Sequence, residues 1–249
     1  WTIVCTDGLK AAAISIEGLQ HTLTDVLVRV THSGGTTQTV RLAPDSIGFT
    51  VSGEPSTFEV ITTYLLLGIE HILLGIDHLL FVFALLLIVK GWRRLVGTIT
   101  AFTVAHSITL AAATLGYVNV PQAPVEAVIA LSILFLATEI IHMLQGRSGL
   151  AQRYPWLVAF IFGLLHGFGF AGALTEIGLP PSDIPLALLF FNVGVEVGQL
   201  IFVAGVLLVG ILLKRLFTQP LRWGEIVITY IIGSLAAFWT IERVIAFSS

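Results

Sequence analysis

Cysteine and charge are what this sequence has least of. Cys5 is the only cysteine, so neither an internal disulfide framework nor a thiolate zinc site can be built within the chain. Only 11% of the 249 residues are charged, against roughly 25% in soluble domains, which excludes an ordinary water-soluble globule. The formal net charge of -3 is too small to mark nucleic acid or another strongly charged partner. A phosphate-binding glycine loop and a G-x-S-x-G nucleophile elbow are missing, as are repeats and low-complexity tracts. The chain opens on Trp1 with no basic n-region or apolar h-region ahead of it. That reads as a processed or truncated chain whose signal peptide is gone.

Apolar residues fill the place that charge leaves. They make up 56% of the chain, and mean hydropathy is +0.96. From Phe58 onward, stretches long enough to cross a hydrocarbon core of about 30 Å recur at roughly 58–89, 95–116, 123–144, 155–174, 184–213 and 223–247. The pattern predicts an all-α polytopic membrane helix bundle of about six transmembrane helices over residues 56–249. The first stretch is overlong for one span, so either its opening turns lie along the interface or the helix bends near Gly75.

Residues 1–55 differ. They are polar, with short alternating runs at Ala13–Ile16 and Thr24–Val30, and turn signals at Gly18 and Ser33-Gly34-Gly35. These read as β-strands, a β-rich segment that is either the remnant of a larger β-domain or a small lid on the membrane part. Lys90, Arg93 and Arg94, then Arg147 and Arg153, then Lys214, Arg215 and Arg222 follow the first, third and fifth stretches. The alternate loops, around Tyr117–Gln122 and Glu176–Asp183, carry no Lys or Arg. The positive-inside rule then places the basic loops in the cytoplasm and both termini, with the β-segment, on the outer side.

An ionisable side chain at mid-bilayer costs about 2.5–3.5 kcal/mol on insertion scales, so several in one small bundle need a reason. The first stretch carries Glu70, His71, Asp77 and His78. His71 and His78 are seven apart and return to one helical face after two turns. Two imidazoles and a carboxylate suit Zn, Ni, Cu or Fe, unless Asp77 instead orients a neighbouring histidine. The second stretch contributes Thr103, His106 and Ser107. The third contributes Glu139 and His142, with the E-x-x-H spacing of bundle carboxylate–histidine sites, although His142 lies near the cytoplasmic end. In the fourth, His166 is flanked by Gly163 and Gly167, a small-xxx-small face that directs it into the bundle. The fifth has Asn192, Glu196 and Gln199 as a polar stripe beside Gly194 and Gly198.

Each has a plainer reading. His106 or His142 alone is as well explained by a hydrogen bond to a neighbouring helix, and Asn192 and Gln199 better as interhelical ties. Glu126, after Pro121 and Pro124, reads as an interfacial acid favoured by the helix dipole; Glu242 and Arg243 read as outer-interface residues. For His71, Asp77, His78, His166 and Glu196 together, a metal site is the stronger account, with His106, Ser107, Glu139, His142, Asn192 and Gln199 as supporting polar groups.

The run from His71 through Gly75-Ile76-Asp77-His78-Leu79-Leu80, with Phe102-Thr103, His106-Ser107 and His166-Gly167, resembles the HupE/UreJ family of bacterial membrane proteins. The polar leader resembles that of the family's second branch, which has an extracytoplasmic N-terminal region. Two positions depart from the family's nickel-permease pattern. Ile72 stands where a proline follows the first histidine, and Phe170-Ala171 stands where a second His-Gly pair would be. The resemblance implies a bacterial inner-membrane protein that moves or delivers nickel; donor chemistry alone admits Zn equally. The expected function is thus a metal permease or delivery accessory, more a transporter than an enzyme. An intramembrane metal-dependent hydrolase, with Glu196 or Glu139 as base, and a non-catalytic subunit or assembly factor are the alternatives. Lipid is the expected partner, with another membrane protein or a second copy open.

Overall fold

The computed structural model describes residues 12–21, 26–31, 37–42, 44, 46–51, 57–169, 184–216 and 222–248. Ahead of the helices lie β1 (Ala13–Ser15), β2 (Val26–Thr31), β3 (Thr37–Leu42) and β4 (Gly48–Thr50). They form two two-stranded antiparallel sheets, β1 with β4 and β2 with β3. The β2–β3 register runs from Val26 opposite Leu42 to Thr31 opposite Thr37. Gly18 takes a positive φ of 90° after β1, which a side chain would resist. The turn expected at Ser33–Gly35 lies outside the described residues.

Eight helices follow among the described residues: α1 (Thr57–Leu74), α2 (Ile76–Ile88), α3 (Trp92–Thr114), α4 (Gln122–Leu144), α5 (Leu150–Arg153), α6 (Pro155–Phe168), α7 (Ile184–Leu216) and α8 (Arg222–Ser248). Five of them, α1, α3, α4, α7 and α8, are long and apolar enough to cross a membrane. The protein is a polytopic helix bundle. α2 and α6, with 13 and 14 residues, are shorter. Residues 170–174, the expected end of the fourth stretch, lie outside the described residues.

Of the two readings of the overlong first stretch, the bend at Gly75 is the one the fold adopts. α1 and α2 lie in succession along the 33-residue α7. Gly68 meets Phe191 and Val195, Gly198 meets Ile69 and Ile72, and Val82 of α2 clusters with Val203. The most extensive helix pairs are α3 with α6, α1 with α7 and α4 with α8, and glycine sets the first two. A Cβ on Gly163 would strike the Phe102 carbonyl and one on Gly167 the Thr109 hydroxyl and His106 carbonyl; on α7, a Cβ on Gly194 would strike the Leu65 carbonyl. Backbones can approach this closely only where side chains are missing. The apolar interior, with Phe81, Phe102, Leu136 and Ile140 at its centre, lies between the histidines on α2 and α3 and the connection that joins these two helices.

Candidate metal centre

The site begins at the break between α1 and α2. Gly75 has an extended backbone, φ -78° and ψ 93°, open to any residue; space is what demands glycine here. A Cβ would lie 2.8 Å from the His71 carbonyl and 2.9 Å from His78 Nδ1. The break leaves His71 on the last turn of α1 and His78 on the first turn of α2, with ring centroids 4.8 Å apart. Asp77 serves both the helix and the ring. Its Oδ1 accepts the backbone N–H of His78 at 2.8 Å and faces His78 Nδ1 at 2.9 Å. An acid in the first turn suits the dipole of α2 as well.

His106 enters from α3 and His166 from α6, both fully buried at 0% and 1% exposure. His166 stacks edge-on to His78 at 5.1 Å, and His106 lies 6.3 Å from His71 and 6.5 Å from His78, centroid to centroid. The sequence ranked His106 as a supporting residue; the fold brings it into the cluster.

Hydrogen-bond partners fix the tautomers of three of these rings. A carboxylate only accepts, so His78 carries its proton on Nδ1. Asn192 donates through Nδ2 to the Leu188 carbonyl at 2.8 Å, which turns its Oδ1 toward His106 Nδ1 at 3.0 Å; that nitrogen is protonated too. Ser132 donates its hydroxyl to the Ile129 carbonyl at 2.6 Å and therefore accepts from His166 Nε2 at 3.1 Å. The second nitrogens, Nε2 of His78, Nε2 of His106 and Nδ1 of His166, are buried lone pairs with no hydrogen-bond partner among the described residues. Leaving a buried acceptor unsatisfied costs about 1–3 kcal/mol, and three such atoms occur among these rings. Neutral imidazoles, each held from behind by an acceptor with the other nitrogen bare, are what a divalent transition metal requires.

The nitrogens of His71, His78 and His106 lie within 4.8 Å of one another. Tetrahedral ligands at about 2.0–2.1 Å from an ion stand about 3.4 Å apart, so small ring rotations bring these donors onto one ion. His166 is outside this group of three and borders it. Its bound partner, Ser132, gave no sequence signal beyond being one polar residue in an apolar stretch.

The remaining candidates divide. Asn192 holds His106. Gln199 accepts from Thr103 Oγ1 at 3.2 Å, and Ser107 donates to the Thr103 carbonyl at 2.6 Å. Glu196 accepts from Thr100 Oγ1 at 2.6 Å, lower on α3 and away from the imidazoles. Glu139 accepts the Ala151 backbone N–H at 2.7 Å, which ties α4 to the start of α5, and His142 is exposed on α4. The carboxylates a hydrolase would draw on, Glu196 and Glu139, are thus engaged elsewhere.

A cavity of about 460 Å³ reaches the cluster and is lined by His71, Asp77, His78 and His166 together with Glu70, Glu126 and Arg243. It lies where α1 ends and α4 starts, beside the last turns of α6 and α8. No curated protein and no solved structure matches this chain. The family model described as HupE / UreJ protein matches residues 49–243. The match runs from β4 through every residue of the histidine cluster to the last turns of α8, and the chain belongs to the HupE/UreJ family.

Proposed function

We propose that this protein binds a divalent transition metal at His71, His78 and His106 and moves it across, or delivers it within, the bacterial inner membrane. The metal is cargo, nickel by the family resemblance, with zinc compatible with the same donors. The observation that carries this is the approach of His71, His78 and His106 to within 4.8 Å of one another, with His78 and His106 each presenting a bare nitrogen opposite one already committed to Asp77 or Asn192. His166 stands beside the three as a fourth imidazole for an ion in passage, and Glu196 is a polar stop further along α7. We take residues 1–55 as the extracytoplasmic segment and the basic loops as cytoplasmic, which turns the cavity toward the outer side.

Protein stripped of metal and reconstituted in lipid nanodiscs is expected to take up about one Ni²⁺ per chain in elemental analysis, a single site built from three imidazoles. His106→Ala is expected to abolish that uptake; equal loading of variant and parent would sink the assignment. Loading should also fall as pH is lowered, because protons compete with metal for imidazole nitrogen. Flux of Ni²⁺ into sealed liposomes separates carriage from delivery.

A further inference from the structure

The cavity beside the imidazoles is also lined by three charged groups that the metal centre does not use. Glu126 projects from α4 and Arg243 from the last turns of α8; Glu70, exposed on α1, lines the same space. Arg243 makes three contacts. Its Nη1 donates to the Glu126 carbonyl at 3.0 Å, and its guanidinium lies 5.7 Å from the centre of the Trp239 ring. Its Nε is 3.7 Å from Glu126 Oε2, with the two side chains 24% and 41% exposed. A charge-assisted hydrogen bond measures about 2.7–2.9 Å, so this last pairing is loose. Two of the three contacts, to the main-chain carbonyl and the indole, do not involve the carboxylate. Glu126 can leave Arg243 while Arg243 stays where it is.

Metal must come to this cavity as a hydrated cation, and a fixed guanidinium in its lining repels it. Glu126 masks that charge. Resting on the metal-carrier reading above, we infer that Glu126, with Glu70 nearby, is the landing site for a hydrated divalent cation on its way to the imidazoles. Arg243 is its electrostatic gate. The arriving ion takes the Glu126 carboxylate from Arg243, and the pair re-forms when the ion moves inward. A merely structural ion pair holding α4 to α8 would be damaged alike from either side. A gate responds with opposite signs, because Arg243→Gln leaves Glu126 free for the cation while Glu126→Gln leaves Arg243 unmasked.

The test is stopped-flow association of Ni²⁺ alone with the whole chain in neutral-lipid nanodiscs, together with equilibrium loading. Arg243→Gln is expected to speed association about three- to tenfold and Glu126→Gln to slow it by a similar factor, both differences shrinking at high salt as steering is screened. Arg243→Lys, which keeps the charge and loses the fork, is expected to stay within about twofold of the parent. Rates that shift in the same direction in the two glutamine variants, or an Arg243→Lys protein as fast as Arg243→Gln, would overturn the gate. So would rates unchanged in both glutamine variants. A parent protein that binds no Ni²⁺ would instead remove the metal-carrier reading itself, and the gate with it. Normal loading in the parent with unaltered rates in the variants removes the gate alone.

Discussion

Replacing His78 by Ala is expected to weaken Ni²⁺ binding by more than about 100-fold, beyond the 10–100-fold typical when only the partner of a ligand is lost. His78 stands at the centre of the cluster. Its ring touches those of His71 and His166 at 4.8 and 5.1 Å, and Asp77 holds its Nδ1. Asp77→Asn keeps the shape of the partner and an accepting oxygen but removes the charge, so about 10–100-fold is expected there. Isothermal titration of the two variants side by side checks the order. An Asp77→Asn protein weaker than His78→Ala would mean that Asp77 is itself a ligand and His78 its support.

The second large effect is on stability. Gly194→Leu is expected to destabilise the bundle by about 3 kcal/mol or more, at the upper end for overpacking. A Cβ at Gly194 would meet the Leu65 carbonyl and lie 3.1 Å from Gly68 Cα. Backbone cannot yield as a side chain can, so α1 and α7 must separate. His71 rides on α1, and metal affinity should fall with the packing. Gly205→Leu on the same helix meets nothing within 4 Å and is expected to stay within about 0.5 kcal/mol of the parent. Unfolding in mixed detergent micelles compares the two; equal effects would refute the close-contact account.

Much of this architecture was legible because a bilayer imposes strong rules. Long apolar stretches marked α3, α4, α7 and α8, and the small-xxx-small pairs at 163/167 and 194/198 marked the helix faces that do touch. The seven-residue spacing puts His71 and His78 on one helical face, while the overlong stretch allows a bend near Gly75. The two rings do meet, across that bend: Gly75 interrupts the ladder and the two residues belong to different helices. Periodicity cannot see that position 75 has no room for a side chain, because the His71 carbonyl and the His78 ring occupy the space a Cβ would need. His106 was underweighted for a related reason. What gives it meaning is Asn192, 86 positions away, and only the fold joins them. The stripe of Asn192, Glu196 and Gln199 looked like one feature because the residues share a helix. In the bundle each meets a different residue of α3, namely His106, Thr100 and Thr103. Spacing along one helix says which residues neighbour one another, not what faces them.

The Asn192–His106 hydrogen bond joins α7 to α3, and that has a mechanical corollary. An α-helix advances about 1.5 Å per residue, so a slide of one residue between these two helices pulls the amide oxygen away from Nδ1. The ring is then free to rotate and to carry its proton on the nitrogen that would otherwise grip the ion. On the proposed metal-binding role of His106, grip and release are two registers of the same pair of helices, and a cross-link that locks α3 to α7 is expected to slow metal release.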